Sequence, residues 1–241
     1  MTGHRILAGA NSKLRVTPWR GDVTTAYLTP TRGRPSLAII EQCLSELPGA
    51  GYDSAITAAL TGVDQIPFLQ SGFSVLERLH LLKRTLYDIP RLRVSNVELR
   101  RTRPAEQPAI LAIDAASFPP FWRLDDSGLT DAIAATPSAR LAVAVTRSHE
   151  ATIVGYAITG RAGPRGYLQR LAVDPEAHRQ GIGSALVADG LRWLRRWGAR
   201  EIIVNTQEDN GSALALYARL GFRMQPDGLA VLRRSLDGPG Q

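Results

Sequence analysis

The residues best placed for chemistry lie between Leu168 and Ser184, reading Leu-Gln-Arg-Leu-Ala-Val-Asp-Pro-Glu-Ala-His-Arg-Gln-Gly-Ile-Gly-Ser. An apolar strand runs to Val173, Asp174-Pro175 turns the chain, and Arg179-Gln180-Gly181-Ile182-Gly183-Ser184 enters a helix. Two glycines let a ligand approach the backbone, and the first turn of a helix has unpaired N–H groups at the positive end of its dipole. Arg179 adds a charge-assisted donor. This pattern suits a pyrophosphate. By itself it also fits a merely flexible helix start. No Lys-Ser/Thr follows, so this is not a P-loop, and Leu186 stands where a dinucleotide fingerprint has its third glycine.

A second motif follows at Asn210-Gly-Ser-Ala213-Leu-Ala-Leu216-Tyr217-Ala-Arg-Leu-Gly221-Phe222, of the form N-x-x-A-x-x-L-Y-x-x-x-G-F. Together with V-D-P and R-Q-G-I-G-S it closely resembles the GNAT (general-control-related N-acetyltransferase) superfamily. The likeness is dense over 168–222 and extends in element order over about 96–236. It implies an acetyl-CoA site. Leu171, Ala172 and Val173 would present backbone groups to the pantetheine arm, where their strand splays from the strand at Ile202–Asn205. Arg179, Gln180, Gly181, Ile182, Gly183 and Ser184 would cradle the pyrophosphate, and Asn210 would contact the cofactor. His178 departs from the Arg or Gln often found three residues before the first motif glycine.

The chemistry implied is direct acetyl transfer from the thioester to an amine, with no metal. It needs a neutral amine, a polarised carbonyl and a proton for the departing thiolate. Tyr217 would sit near the sulfur as the general acid; the alternative is an amphipathic helix tyrosine with a satisfied hydroxyl. No base stands out. Glu208, Asp209, Asp125, Asp126 and Glu150 all read as well as solvated carboxylates, and Tyr167, Gln169 or Asn205 could orient a water instead. A weakly basic acceptor such as an α-amine, pKa ~7.7–8.0, needs no strong base. Cys43 lies on an apolar helix outside the matched region and reads as a buried small hydrophobe.

The acceptor side is expected in Phe118-Pro-Pro-Phe121-Trp122-Arg-Leu-Asp125-Asp126, an aromatic loop stiffened by two prolines and ending in two acids. Phe118, Phe121, Trp122 and Asp125 are the candidate substrate contacts. The alternative is a hydrophobic lid with Asp125 or Asp126 capping the next helix. Residues 112–122 are also similar to ribosomal-protein N-terminal alanine acetyltransferases, so a peptide N-terminus joins the small-molecule amines as an acceptor class.

Positioning these residues requires an α+β domain, a three-layer α/β arrangement with a GNAT-like mixed sheet flanked by helices. Periodicity predicts strands at about 96–102, 141–145, 153–158, 166–173, 201–205, 222–225 and 229–236, with helices at 106–117, 127–135, 181–197 and 210–220. A linker at 90–95 divides the chain into domains 1–92 and 93–241. In the first, a helix at 36–47, a strand at 54–60, a helix at 64–70 and an extended run at 75–86 repeat the C-terminal order when Gly72-Phe73 is set on Gly221-Phe222. It reads as a degenerate GNAT half. Phe68 falls on Tyr217, Thr61 falls on Asn210, and Arg32-Gly33-Arg34-Pro35 lacks the Gly-x-Gly start, so no CoA is expected there. Such a half could wall the acceptor site or mediate a homodimer.

Composition sets the outer limits. The 241 residues are 44% hydrophobic and carry 29 Lys+Arg against 22 Asp+Glu, a net charge of +7. That is globular composition. One cysteine and four scattered histidines exclude a disulfide scaffold and a Cys-rich zinc site. No segment has the ~20 apolar residues of a membrane span, and a cytoplasmic location is expected. The basic residues are arginine apart from Lys13 and Lys83, and they form only short pairs. That argues against dedicated nucleic-acid binding. The functions compatible with the sequence are an acetyl-CoA-dependent N-acetyltransferase acting on a primary amine, a protein N-terminal acetyltransferase, and a non-catalytic CoA-binding regulatory protein.

Overall fold

The structure is a computed structural model that describes residues 5–8, 12–20, 22–90, 92, 94 and 96–236. It separates into two compact units: residues 1–81, 207–209 and 226–241 in the first, 82–206 and 210–225 in the second. The first begins with β1 (Arg5–Ala8), β2 (Lys13–Trp19) and β3 (Asp22–Arg32), then α1 (Leu37–Glu46), β4 (Ser54–Thr57), β5 (Leu60–Thr61), α2 (Gly62–Gln70) and β6 (Ser74–Thr85). The second follows with β7 (Val97–Arg101), α3 (Gln107–Ser117), α4 (Asp126–Ala134), β8 (Ser138–Thr146), β9 (Ile153–Ala162), β10 (Arg165–Val173), α5 (Ile182–Arg196), β11 (Glu201–Gln207), α6 (Gly211–Arg219) and β12 (Arg223–Met224). Finally β13 (Leu229–Ser235) returns to the first unit.

The second unit has the expected mixed sheet between helices. β7, β8, β9 and β10 run antiparallel in sequence, and β11 adds parallel to β10. Strand alternation sorts its apolar residues into two cores. Ala142, Ala144, Ala157 and Leu168 face Ile182, Leu186, Leu191 and Leu194 of α5 and Tyr217 of α6. Val143, Val145, Tyr156, Ile158 and Ala172 face Ile110 and Ile113 of α3 and Leu129 of α4. α5 and α6 therefore share one face of the sheet, and α3 and α4 cover the other.

In the first unit the strand order is β1-β2-β3-β4-β13-β6. β3 pairs parallel with β4 across α1, from Thr25↔Ser54 to Leu28↔Thr57. β1, β2 and β3 had no counterpart in the sequence reading, although Leu14, Val16, Ala26 and Leu28 alternate into the core there. β13 forms where expected, but it pairs with β4 and β6. Ala230 and Leu232 bury in the first unit's core, so the last strand leaves the domain 93–241 to which it was assigned.

The units also part at Leu81/Leu82 rather than at 92/93. Ile89, Leu92 and Val94 pack on the core of the second unit, which is why this stretch does not behave as a free linker. Residues 91, 93 and 95 of the expected linker lie outside the described residues. Among the described residues no helix is long and apolar enough to cross a membrane, and no cluster of His, Cys, Asp and Glu could hold a metal.

The repeated order is visible in geometry. α2 and α6 both end on a glycine with positive φ, Gly72 at 79° and Gly221 at 76°. In both, the next phenylalanine bonds back through its N–H, Phe73 to Phe68 O at 3.1 Å and Phe222 to Tyr217 O at 3.0 Å. The ring pairs Phe68–Phe73 and Tyr217–Phe222 each lie 5.4 Å apart. α1, unlike α5, is capped by a side chain: Ser36 accepts from Ile39 N–H.

Candidate active site

β10 and β11 pair only from Arg165↔Glu201 to Tyr167↔Ile203. Beyond that β10 continues to Val173, bonded to β9 alone. Asp174 N–H donates to Val154 O at 2.9 Å. Antiparallel alternation then turns the N–H and C=O of Ala172 toward β9 and those of Leu171 and Val173 away from it. The approach of Ala172 O to Gly155 agrees, since a Cβ on that glycine would lie 3.0 Å from it. Ala172 thus differs from the expectation: its backbone polar groups face the β9 ladder. The Val173 carbonyl accepts from Ser117 Oγ at 3.2 Å and from the His178 ring at 2.8 Å. His178 therefore braces the turn into α5.

α5 begins at Gly181, whose φ of 80° is left-handed, with no side-chain cap among the described residues. Arg179, at φ 61°, shares that unusual conformation. The left-handed Gly181 followed by helical Ile182 turns successive backbone N–H groups toward one point and forms a concavity suited to an anion. Intrahelical bonding starts with Ala185 N–H to Gly181 O, which leaves the N–H groups of Ile182, Gly183 and Ser184 without a helical acceptor. Gln180 is held by Asn96, whose Nδ2 donates to its Oε1 at 2.7 Å. Ile182 is buried under the loop, whereas Arg179 and Gln180 are exposed.

α6 starts on the same face of the sheet. Asn210 is its N-cap: Oδ1 accepts from Ala213 N–H at 3.1 Å. Two turns on, Tyr217 is 5% exposed within the core shared with α5. Burial pushes its phenol well above the usual tyrosine range. Burial keeps the hydroxyl protonated, and it has no hydrogen-bond partner among the described residues.

The other face of the split is uncharged and of mixed polarity. A cleft of about 290 Å³ is lined by Ala135, Thr136, Ala162, Tyr167, Leu168, Gln169, Ile203, Val204 and Asn205. β10 carries a bulge between Leu168 and Arg170 against β9. The extra residue turns Gln169 and Arg170 to the same side. Arg170 forks onto Asp114 with contacts of 2.8 and 2.9 Å and donates to Trp122 O at 2.7 Å. Its guanidinium lies 3.4 Å from the Phe118 ring centroid. Asp114 is fully buried and also accepts from Tyr156 Oη and from Leu124 N–H. This network fixes the loop after α3 against β10.

Residues 108–222 match the acetyltransferase (GNAT) family. That segment of the chain belongs to the GNAT family. A mycothiol acetyltransferase of Mycobacteroides abscessus is 30% identical over 162 residues, covering 63% of this chain and 54% of the relative. One from Saccharomonospora viridis is 32% identical over 146 residues, covering 55% and 47%. The chain therefore spans about half the length of these curated relatives. N-alpha-acetyltransferase 30 of Schizosaccharomyces pombe is 41% identical over 58 residues, covering 24% and 39%. Among solved structures, a tandem GNAT protein from the clavulanic acid biosynthesis pathway superposes with TM-score 0.70 at 14% identity, covering 98% of this chain and 82% of that one. A GCN5-related N-acetyltransferase from Kribbella flavida gives 0.65 at 14%, covering 98% and 91%. These structural likenesses show the fold.

All the residues singled out from the sequence as site candidates fall inside the GNAT segment. The structure brings Leu171, Val173, the Arg179–Ser184 turn, Asn210 and Tyr217 to one face around the β10–β11 split. Phe118 and Trp122 lie on the opposite face, tied to Arg170. Phe121 packs edge-on to Trp122, 5.0 Å between centroids. Asp125 is the N-cap of α4: its carboxylate accepts from Gly128 N–H at 2.7 Å and from Ser127 Oγ. Asp126 accepts from Gln107 Nε2 at 2.7 Å. No carboxylate is among the residues lining the cleft. Sequence reasoning missed Asp114, Tyr156 and Arg170. Nothing in their spacing marks a network whose members lie 42 and 56 residues apart.

Proposed function

We propose that the chain is an acetyl-CoA-dependent N-acetyltransferase that passes the acetyl group directly to a primary amine. The observation that carries this reading is the meeting of two backbone arrays that keep N–H groups free on one face. One is the edge of β10 past Tyr167; the other is the uncapped first turn of α5 behind Gly181. An extended arm with amides suits the first, and a pyrophosphate suits the second. The residues present fit acetyl-CoA for that reason, and the GNAT family of residues 108–222 uses it.

Acetyl-CoA supplies an acetyl group activated as a thioester. Leu171, through its N–H and C=O, and Val173, through its N–H, would hold the pantetheine arm. The N–H groups of Ile182, Gly183 and Ser184, with Arg179 and Gln180, would hold the pyrophosphate. Asn210 keeps its side-chain N–H₂ for the cofactor while its carbonyl caps α6. Tyr217 is a buried phenol that keeps its proton and can give it to a thiolate. With no carboxylate among the residues lining the cleft, the acceptor amine is expected to arrive neutral, helped at most by the amide of Asn205 or a water it orients.

The test is thiol release from acetyl-CoA with a panel of primary amines, amino acids, aminoglycosides and short peptides. Release that depends on the amine, with the amine acetylated, is expected. Binding of acetyl-CoA without transfer to any amine would favour a CoA-binding regulatory protein instead.

A further inference from the structure

Both side-chain amide atoms of Gln169 are buried, and neither has a hydrogen-bond partner among the described residues. Leaving both ends of a carboxamide unbonded is unfavourable, and folded proteins rarely tolerate it. Here the backbone is shaped around it. The bulge in β10 supplies the extra residue that turns Gln169 toward the cleft. Gly160 makes the room: a Cβ there would lie 2.5 Å from Gln169 Oε1 and 2.3 Å from Thr136 Oγ1. The Thr136 hydroxyl donates to Ser138 O at 3.0 Å, so toward the cleft it can only accept. Asn205 completes the polar lining.

We propose that Gln169 is a specificity-determining residue that reads a primary amide group beside the reacting amine, so that the preferred acceptor is an α-amino primary amide. This rests on the N-acetyltransferase reading above. A side-chain carboxamide offers one donor and one acceptor side by side. A primary amide answers both with two parallel hydrogen bonds, whereas a trans peptide amide points its N–H and C=O apart and answers only one. A carboxylate presents acceptors only and leaves Oε1 unanswered. A simple alkylamine presents nothing to the pair. The uncharged lining also disfavours an anionic substituent, because among the lining residues no cation would pair with it.

The experiment compares L-alaninamide, L-alanine, isopropylamine and the tripeptide Ala-Ala-Ala as acceptors, with kcat/KM expressed per neutral amine. Wild type should prefer alaninamide over both alanine and isopropylamine by about tenfold or more. The tripeptide, whose trans amide can answer only one end of the pair, should be poorer than alaninamide; a tripeptide as good as alaninamide would mean that Gln169 does not read the two ends together and would overturn the proposal. Gln169→Leu keeps the volume and removes both hydrogen bonds. It should lower kcat/KM for alaninamide about 10- to 100-fold. Isopropylamine turnover and acetyl-CoA affinity should stay within about threefold of wild type, and the melting temperature should hold or rise. Equal losses for alaninamide and isopropylamine, or a wild type without preference for the amide, would overturn the proposal. A wild type that binds acetyl-CoA and acetylates none of the panel removes the N-acetyltransferase reading, and the proposal with it.

Discussion

Tyr217 shows most plainly how burial fixes the protonation state of one residue. Its ring is packed beside Phe222, and its phenol is kept protonated by burial rather than by a partner. Tyr217→Phe should therefore lower kcat by about 10²- to 10⁴-fold and shift the acetyl-CoA Kd by less than about threefold, measured by steady-state kinetics and calorimetry. Because the phenol titrates well above the ordinary tyrosine value, kcat should show no falling limb due to Tyr217 up to about pH 10. A limb that appears below that pH and vanishes in Tyr217→Phe would mean the hydroxyl is better solvated than the packing implies. Phe68, at the matching place in the first unit, is fully buried. Phe68→Tyr should leave kcat unchanged while costing about 1–3 kcal/mol for the buried hydroxyl. At this scale the sequence was informative where residues share a local motif. The positions of Asn210, Tyr217 and the two glycines on α5 and α6 could be read directly. Asp125 could be read two ways, and the structure has the cap. Asp114 and Arg170 could not be read at all, because their meaning depends on a fork formed across 56 residues.

At the scale of elements, two junctions carry the account. The first is the N-terminus of α5. Ser184→Asp places a carboxylate in the first helical turn, where the dipole favours it by about 0.3–1 kcal/mol. The same charge opposes a pyrophosphate. Thermal stability should hold or rise while acetyl-CoA affinity falls at least about tenfold, a split that simple misfolding would not give. The second junction is the bulge in β10. By facing Gln169 and Arg170 the same way it gives one strand a cleft wall and an anchor for the loop after α3. Arg170→Met would leave the Asp114 carboxylate buried without its ion partner and should cost about 3–5 kcal/mol, read from denaturant unfolding. Arg170→Met combined with Asp114→Leu should recover part of that loss. Periodicity located the helices and most strands of the second unit. It could not find the bulge, since one extra residue hardly disturbs an alternation already broken by Gln169-Arg170. Nor could it assign β13, because the alternation of Ala230 and Leu232 says that a strand forms but not which strands it joins.

At the scale of the whole chain, the two units repeat a β-α-β-α order and a Gly-Phe helix ending, but only the second has the uncapped glycine turn. One acetyl-CoA per chain is therefore expected, since Ser36 caps α1 with its side chain where a phosphate would need free N–H groups. The net charge of +7 was legible from composition, yet it pointed to no partner, since the arginines form no aromatic-interleaved run. The central claim is that this chain transfers an acetyl group directly to an amine. A single-turnover experiment tests it most directly: excess protein, limiting acetyl-CoA carrying a labelled acetyl group, and a primary amine, quenched over time and read by mass spectrometry. The account predicts label passing to the amine nitrogen as thiol appears, with no acetylated protein at any time and negligible thiol release without amine. Label accumulating on the protein before it reaches the amine, or leaving as free acetate at the same rate with and without amine, would contradict it.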